Sequence, residues 1–137
     1  MGTPMTKADT LPIHTEEDIV RVRQMTRSLA QQSGLNLVDQ TKIVTAASEL
    51  ARNTLVYGGG GQVILERLQD AGRAGLRLTF EDQGPGIADI ELALRDGYTS
   101  GKGLGLGLSG AKRLSNEFHI DSRVGEGTTV SIIKWKS

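Results

Sequence analysis

Glu81-Asp82-Gln83-Gly84-Pro85-Gly86 closes a run in which apolar and polar residues alternate. Leu76, Leu78 and Phe80 share one phase, Arg77, Thr79 and Glu81 the other, as in a half-buried strand. The next residue in the apolar phase is Asp82, so a carboxylate lands on the face that should meet the core. A buried carboxylate needs donors, and the amino group of an adenine is one that fits. Gly84 and Gly86 then let the backbone pass close to a flat ligand. The competing reading is a strand end at which Asp82 caps a Gly-Pro-Gly turn.

Before this strand, Val63 to Leu68 forms another, and Gln69 to Gly75 reads as a polar turn. Upstream lie two helices. Thr15 is an N-cap with Asp18 as its capping-box partner; Ile19, Val22, Met25 and Leu29 follow at helical spacing, and Gly34 is the stop. The second helix runs from about Val38 to Tyr57, with Ile43, Ala47, Leu50 and Thr54 on one stripe and Gly58 to Gly61 as its stop. Glu49 and Asn53 stand four apart and point from one side of it. Such a pair suits chemistry, since an amide oxygen is a ligand for a hard cation such as Mg²⁺ and a carboxylate accepts a proton. The plainer alternative is a solvated helix end with a Glu49–Arg52 ion pair. Leu11 to His14 suggests a short edge strand, behind a flexible arm over residues 1–10.

Glycine is concentrated downstream: of 18 in the chain, eight fall between Gly84 and Gly110. After a short helix from Ile90 to about Gly97 comes Gly101-Lys102-Gly103-Leu104-Gly105-Leu106-Gly107-Leu108-Ser109-Gly110. Its alternating leucines argue against a slack linker. A glycine-rich loop entering a helix N-terminus is a ready phosphate site. It is not a Walker loop, because the lysine is followed by Gly103. The match to G-x-G-x-x-G from Gly105 to Gly110 lacks the preceding strand that a dinucleotide site requires. A third long helix is expected from Leu106 or Gly107 to about Phe118, with Leu108, Ala111, Leu114 and Phe118 on one side. Two strands, Ile120–Val124 and Thr129–Trp135, end the chain, with Trp135 packed on the sheet. The pattern is an α+β two-layer sandwich with a mixed, mostly antiparallel sheet and helices on one face, a single domain over residues 11–137.

Composition narrows the chemistry. The 137 residues contain no cysteine, which excludes disulfides, thiolate catalysis and cysteine-based zinc sites. His14 and His119 are far apart in sequence. Formal net charge is zero, so nothing favours nucleic acid or an anionic membrane. The absence of a 20-residue apolar run or a leader makes a cytoplasmic location the expectation.

Taken in order, these motifs resemble the GHKL ATP-binding fold of gyrase, Hsp90, MutL and histidine kinases. Glu49…Asn53 resembles the N box, Asp82–Gly86 the D-x-G-x-G box, and Gly103–Gly107 the second glycine box within the ATP lid. Gly125-Glu126-Gly127-Thr128-Thr129 resembles the final G-T element. The small size, and the runs Ser48–Asn53, Glu81–Ile87, Gly125–Thr128 and Ile133–Trp135, are similar to the anti-sigma-factor-type serine/threonine kinase branch, and within it to the stressosome switch kinases.

The resemblance implies ATP and Mg²⁺ as cofactors. It implies Asn53 as the metal ligand, Glu49 as the general base, and Asp82 as the partner of the adenine amino group. Gly84, Gly86 and Ile87 would line the base, with Thr128 supporting it through water. Lys102, Gly103, Leu104, Gly105, Leu106 and Gly107 would surround the phosphates, and Arg52 is a further candidate there. The implied partners are STAS-domain antagonist and scaffold proteins, then a PP2C-type phosphatase or another output protein; a homodimer is possible for the branch. The alternatives are a nucleotide-sensing adaptor and a direct anti-sigma factor. Between Gly97 and Gly110 there is no arginine, and Lys102 lacks the bidentate fork that this branch often places in the lid.

Overall fold

The computed structural model describes residues 8–95 and 106–137. Its elements are β1 (Ala8–Ile13), α1 (Glu16–Gln32), α2 (Leu37–Val56), β2 (Gly61–Asp70), β3 (Arg73–Asp82), α3 (Ile90–Ala93), α4 (Leu106–Leu114), β4 (Glu117–Arg123) and β5 (Gly127–Trp135). The strands form one sheet in the order β1-β2-β3-β5-β4. Each pairing is antiparallel, in line with the mostly antiparallel sheet expected.

Strand alternation gives the sheet one apolar face. Val63 faces Phe80 and Leu65 faces Leu78 across β2–β3; the same two β3 residues meet Val130 and Ile132 of β5. All six are buried. Ile19, Val22 and Leu29 of α1, Ile43, Ala47 and Leu50 of α2, and Leu108 and Ala111 of α4 cover this face and complete the core. The α+β sandwich follows from burying one apolar stripe per helix against one sheet face. The other face carries the Glu66–Arg77 ion pair, at 2.9 Å. Trp135 lies there over Gly75, where an added Cβ would approach the indole to 2.5 Å. Arg73 stacks on its ring and Glu117 accepts its N–H.

The first helix begins as its sequence predicts: Thr15 Oγ1 accepts the Asp18 N–H, and the Asp18 carboxylate accepts those of His14 and Thr15. Several boundaries differ. β1 starts at Ala8, inside the expected arm, because its ladder with β2 extends to Ala8–Glu66. The β2–β3 connection is a two-residue turn, Ala71-Gly72, both at positive φ, rather than a seven-residue loop. α4 stops at Leu114, and Phe118 belongs to β4 opposite Ile132. Asn116 makes that break: its N–H donates to the Ile133 carbonyl and its side chain accepts the Trp135 N–H, which draws the chain into the sheet. The short helix spans only Ile90–Ala93, capped by Asp89. No helix among the described residues is long and apolar enough to cross a membrane.

Candidate nucleotide-binding site

Glu49, Asn53 and Tyr57 follow one another at four-residue intervals along the end of α2 and its C-cap. Glu49 is exposed, with no ion pair or hydrogen bond among the described residues. The expected Glu49–Arg52 pair does not form. Arg52 reaches Glu16 on α1 instead, at 3.4 Å. Asn53 Nδ2 is buried, without a hydrogen-bond partner among the described residues. Gly107, in the first turn of α4, lies directly over this rung. A Cβ at Gly107 would stand 2.9 Å from Asn53 Nδ2 and 3.2 Å from Glu49 Cβ. The glycine thus brings the start of α4, whose first N–H groups have no partner within the helix and which is the positive dipole end, against the Glu49–Asn53 pair.

Asp82 sits at the inner end of β3, 9 % exposed. Its Oδ1 accepts the Gly84 N–H at 2.9 Å. Burial pushes its carboxyl above the usual aspartate range, and the Gly84 and Thr128 N–H groups partly offset that. Room for the carboxyl comes from Gly58: an added Cβ there would meet Asp82 Cγ at 2.4 Å. Gly86 adopts φ +77° and approaches the Arg123 carbonyl so closely that a Cβ would lie 2.0 Å from it. The loop after β3 is then held at successive points. Pro85 O accepts the Gly125 N–H, Gly86 O accepts the Tyr57 hydroxyl, and Ile87 donates its N–H to Ser122 Oγ.

Between α2, β3, β5 and α4 is a small cavity. Asn53, Thr54, Tyr57, Asp82 and Thr128 line it on the polar side, with apolar walls from residues such as Leu50, Phe80 and Ile87. The structure therefore brings Asn53, Asp82, Ile87 and Thr128 to one cavity, Gly84 and Gly86 to the loop beside it, and Glu49 and Gly107 to one side. Leu106 opens α4; Lys102, Gly103, Leu104 and Gly105 lie outside the described residues. The donor set suits a purine nucleotide and a hard cation. A buried carboxylate stands at one end, and Asn53 Nδ2, without a hydrogen-bond partner among the described residues, faces a helix N-terminus at the other.

Tyr57, Gly58 and Ser122 also shape the site, and the sequence reading assigned them no such part. Tyr57 was visible as the next rung after Glu49 and Asn53. Ser122 follows Phe118 and Ile120 in the inward phase of β4, just as Asp82 follows Phe80. Gly58 passes for a helix stop, and only the tertiary approach of Asp82 gives it a second role.

Residues 38–137 match the family of histidine kinase-, DNA gyrase B-, and HSP90-like ATPases. The chain belongs to that ATPase family. Within the family it is 50 % identical over 123 residues to the serine/threonine-protein kinase RsbT of Bacillus subtilis, covering 90 % of this chain and 92 % of that one. It is 31 % identical to the anti-sigma F factor of Anoxybacillus flavithermus over 105 residues, 72 % of this chain and 70 % of the relative. Among solved structures, the RsbU and RsbW domains of a Mycobacterium tuberculosis protein share the fold, with a TM-score of 0.65 at 21 % identity. That alignment covers 97 % of this chain but a third (33 %) of the other. These relationships assign the chain to the protein-kinase branch of the ATPase family, the partner-switching kinases that use ATP.

Proposed function

We propose that this protein phosphorylates serine or threonine on STAS-domain antagonist and scaffold proteins, and that once released from them it activates a PP2C-type phosphatase or another output protein. The observation that carries the kinase reading is the rung of Glu49 and Asn53 beneath Gly107, in a chain half identical to RsbT. The cation that accompanies ATP is proposed to be Mg²⁺.

ATP supplies the phosphoryl group and Mg²⁺ neutralises its charge, so the protein's task is mostly positioning. Asp82 accepts the adenine amino group, and Thr128 satisfies the base edge beside it. Gly84, Gly86 and Ile87 form the wall against which the base lies. Asn53 would offer its oxygen to the metal, leaving Nδ2, without a partner among the described residues, as a donor to phosphate. The N-terminus of α4, with Leu106 and Gly107, favours negative charge, and Lys102, Gly103, Leu104 and Gly105 are assigned to the same phosphates. Glu49, exposed and unpaired among the described residues, is the group we assign to take the proton of a substrate hydroxyl.

The test separates binding from transfer. Glu49→Gln is expected to bind ATP within about twofold of wild type and to lose transfer by about a hundredfold or more. Titration of ATP binding and a single-turnover phosphorylation assay measure the two. Normal transfer by Glu49→Gln would remove Glu49 as the base.

A further inference from the structure

Ser122 stands at the end of β4, directly opposite Thr128 on β5. Its Oγ accepts the Ile87 N–H at 2.8 Å, lies 2.7 Å from Thr128 Oγ1, and lies 3.1 Å from the Gly127 carbonyl. One side chain therefore touches both the loop assigned to the base and the hydroxyl assigned to its edge.

A hydroxyl has one proton and two acceptor positions. The Ile87 N–H fills one acceptor position of Ser122, and two arrangements of the hydroxyl protons remain. If Ser122 donates to the Gly127 carbonyl, the 2.7 Å contact requires Thr128 to donate to Ser122. Thr128 then presents lone pairs alone to the cavity. If Ser122 donates to Thr128, the Thr128 proton is free to point into the cavity. The polar edge of adenine carries an amino donor beside a ring-nitrogen acceptor, N1. Asp82, when ionised, only accepts and can serve only the donor. The acceptor needs a proton, and Thr128 is the neighbouring source.

Resting on the adenine-binding reading of Asp82 and Thr128, we infer that Ser122 is a positioning residue for base recognition. Its proton goes to Thr128, so that the Thr128 proton is presented, directly or through a water, to N1 of adenine. Ser122 never touches the nucleotide. It acts through Thr128, while its other contact fixes the Ile87 backbone.

The experiment compares ATP with its 1-deaza analogue, in which the N1 acceptor is replaced by C–H. Affinities are measured by calorimetry for wild type, Ser122→Ala, Ser122→Cys, Ser122→Thr and Thr128→Val. Wild type should prefer ATP by about tenfold, the scale of one well-made hydrogen bond. Ser122→Ala leaves the Thr128 proton unoriented and should weaken ATP by clearly more than the analogue, shrinking the preference, while the lost Ile87 contact weakens both alike. Ser122→Cys, which keeps the bulk with a weak donor, should resemble Ser122→Ala. Ser122→Thr should restore the preference, and Thr128→Val should lack it. A serine that merely braces the loop would weaken both nucleotides equally and keep their ratio; that result overturns the inference, as does a wild type with no preference. Loss of ATP binding by Asp82→Asn in the same series supports the underlying base-pocket reading. Unchanged binding by that variant would sink the base-pocket reading itself, whatever Ser122 does.

Discussion

Asp82 shows how one residue joins the fold to its ligand. Its carboxyl is buried at the end of an apolar row and pushed above the usual aspartate range by desolvation. The unfolded chain therefore releases this proton at lower pH than the folded one. The nucleotide-free fold should lose stability as pH rises from the ordinary aspartate value to the raised one. ATP affinity should run the other way, falling as pH drops through the same window, because the adenine amino group needs the acceptor form. Asp82→Asn separates the effects. At neutral pH it should melt no lower than wild type and bind ATP at least about tenfold more weakly. Thermal melts with and without ATP across pH check both signs. The placement of Asp82 was legible in its sequence because strand alternation is local and leaves one residue out of character. Ser122 obeys the same rule, but helical spacing from Leu114 also suits Phe118, and this hides the strand phase that leads to Ser122.

Helices and turns carry their own tests. Gly107 lets α4 lie against α2, and a methyl there would crowd Asn53 and Glu49. Gly107→Ala is expected to cut ATP affinity by about tenfold or more, while Gly110→Ala, whose Cβ meets open space, should leave it unchanged. Ala71 is the one described non-glycine residue at positive φ, in a two-residue hairpin that favours Asn-Gly. Ala71→Asn should stabilise the fold by about 0.5–1 kcal/mol, read from denaturant unfolding. The start of α1 was more legible than the end of α4. The α1 capping box is written within four residues. The end of α4 is not, because Phe118 suits both helical spacing from Leu114 and alternation with Ile120. A tertiary bond from Asn116 to Trp135 decides between them.

At the scale of the whole molecule, the start of α2 is tied to the end of β5. Asp39 and Lys134 are both nearly buried, and Lys134 Nζ lies 3.5 Å from Asp39 Oδ1 while Ser137 donates to Oδ2. The Ser137 hydroxyl, followed by the Lys134 charge, holds the Asp39 carboxyl below its usual range despite burial. Its stabilising effect is present above the ordinary aspartate pKa and is lost as pH falls through the lowered one. Removing one partner strands the other: Asp39→Ala should cost about 3 kcal/mol or more, and the Asp39→Leu, Lys134→Met pair considerably less. The chain's one tryptophan, Trp135, is a fluorescence probe for both. This tie joins residues 95 apart in sequence, and neither shows a local pattern that predicts the other. The central claim, though, concerns what the assembled site does. The most direct measurement is intact-mass analysis of a STAS-domain protein from the same genome, incubated with this protein, ATP and Mg²⁺, beside Asp82→Asn. The account predicts one added phosphate with wild type and none with the variant. An unmodified STAS protein, with ATP demonstrably bound to wild type, would contradict it.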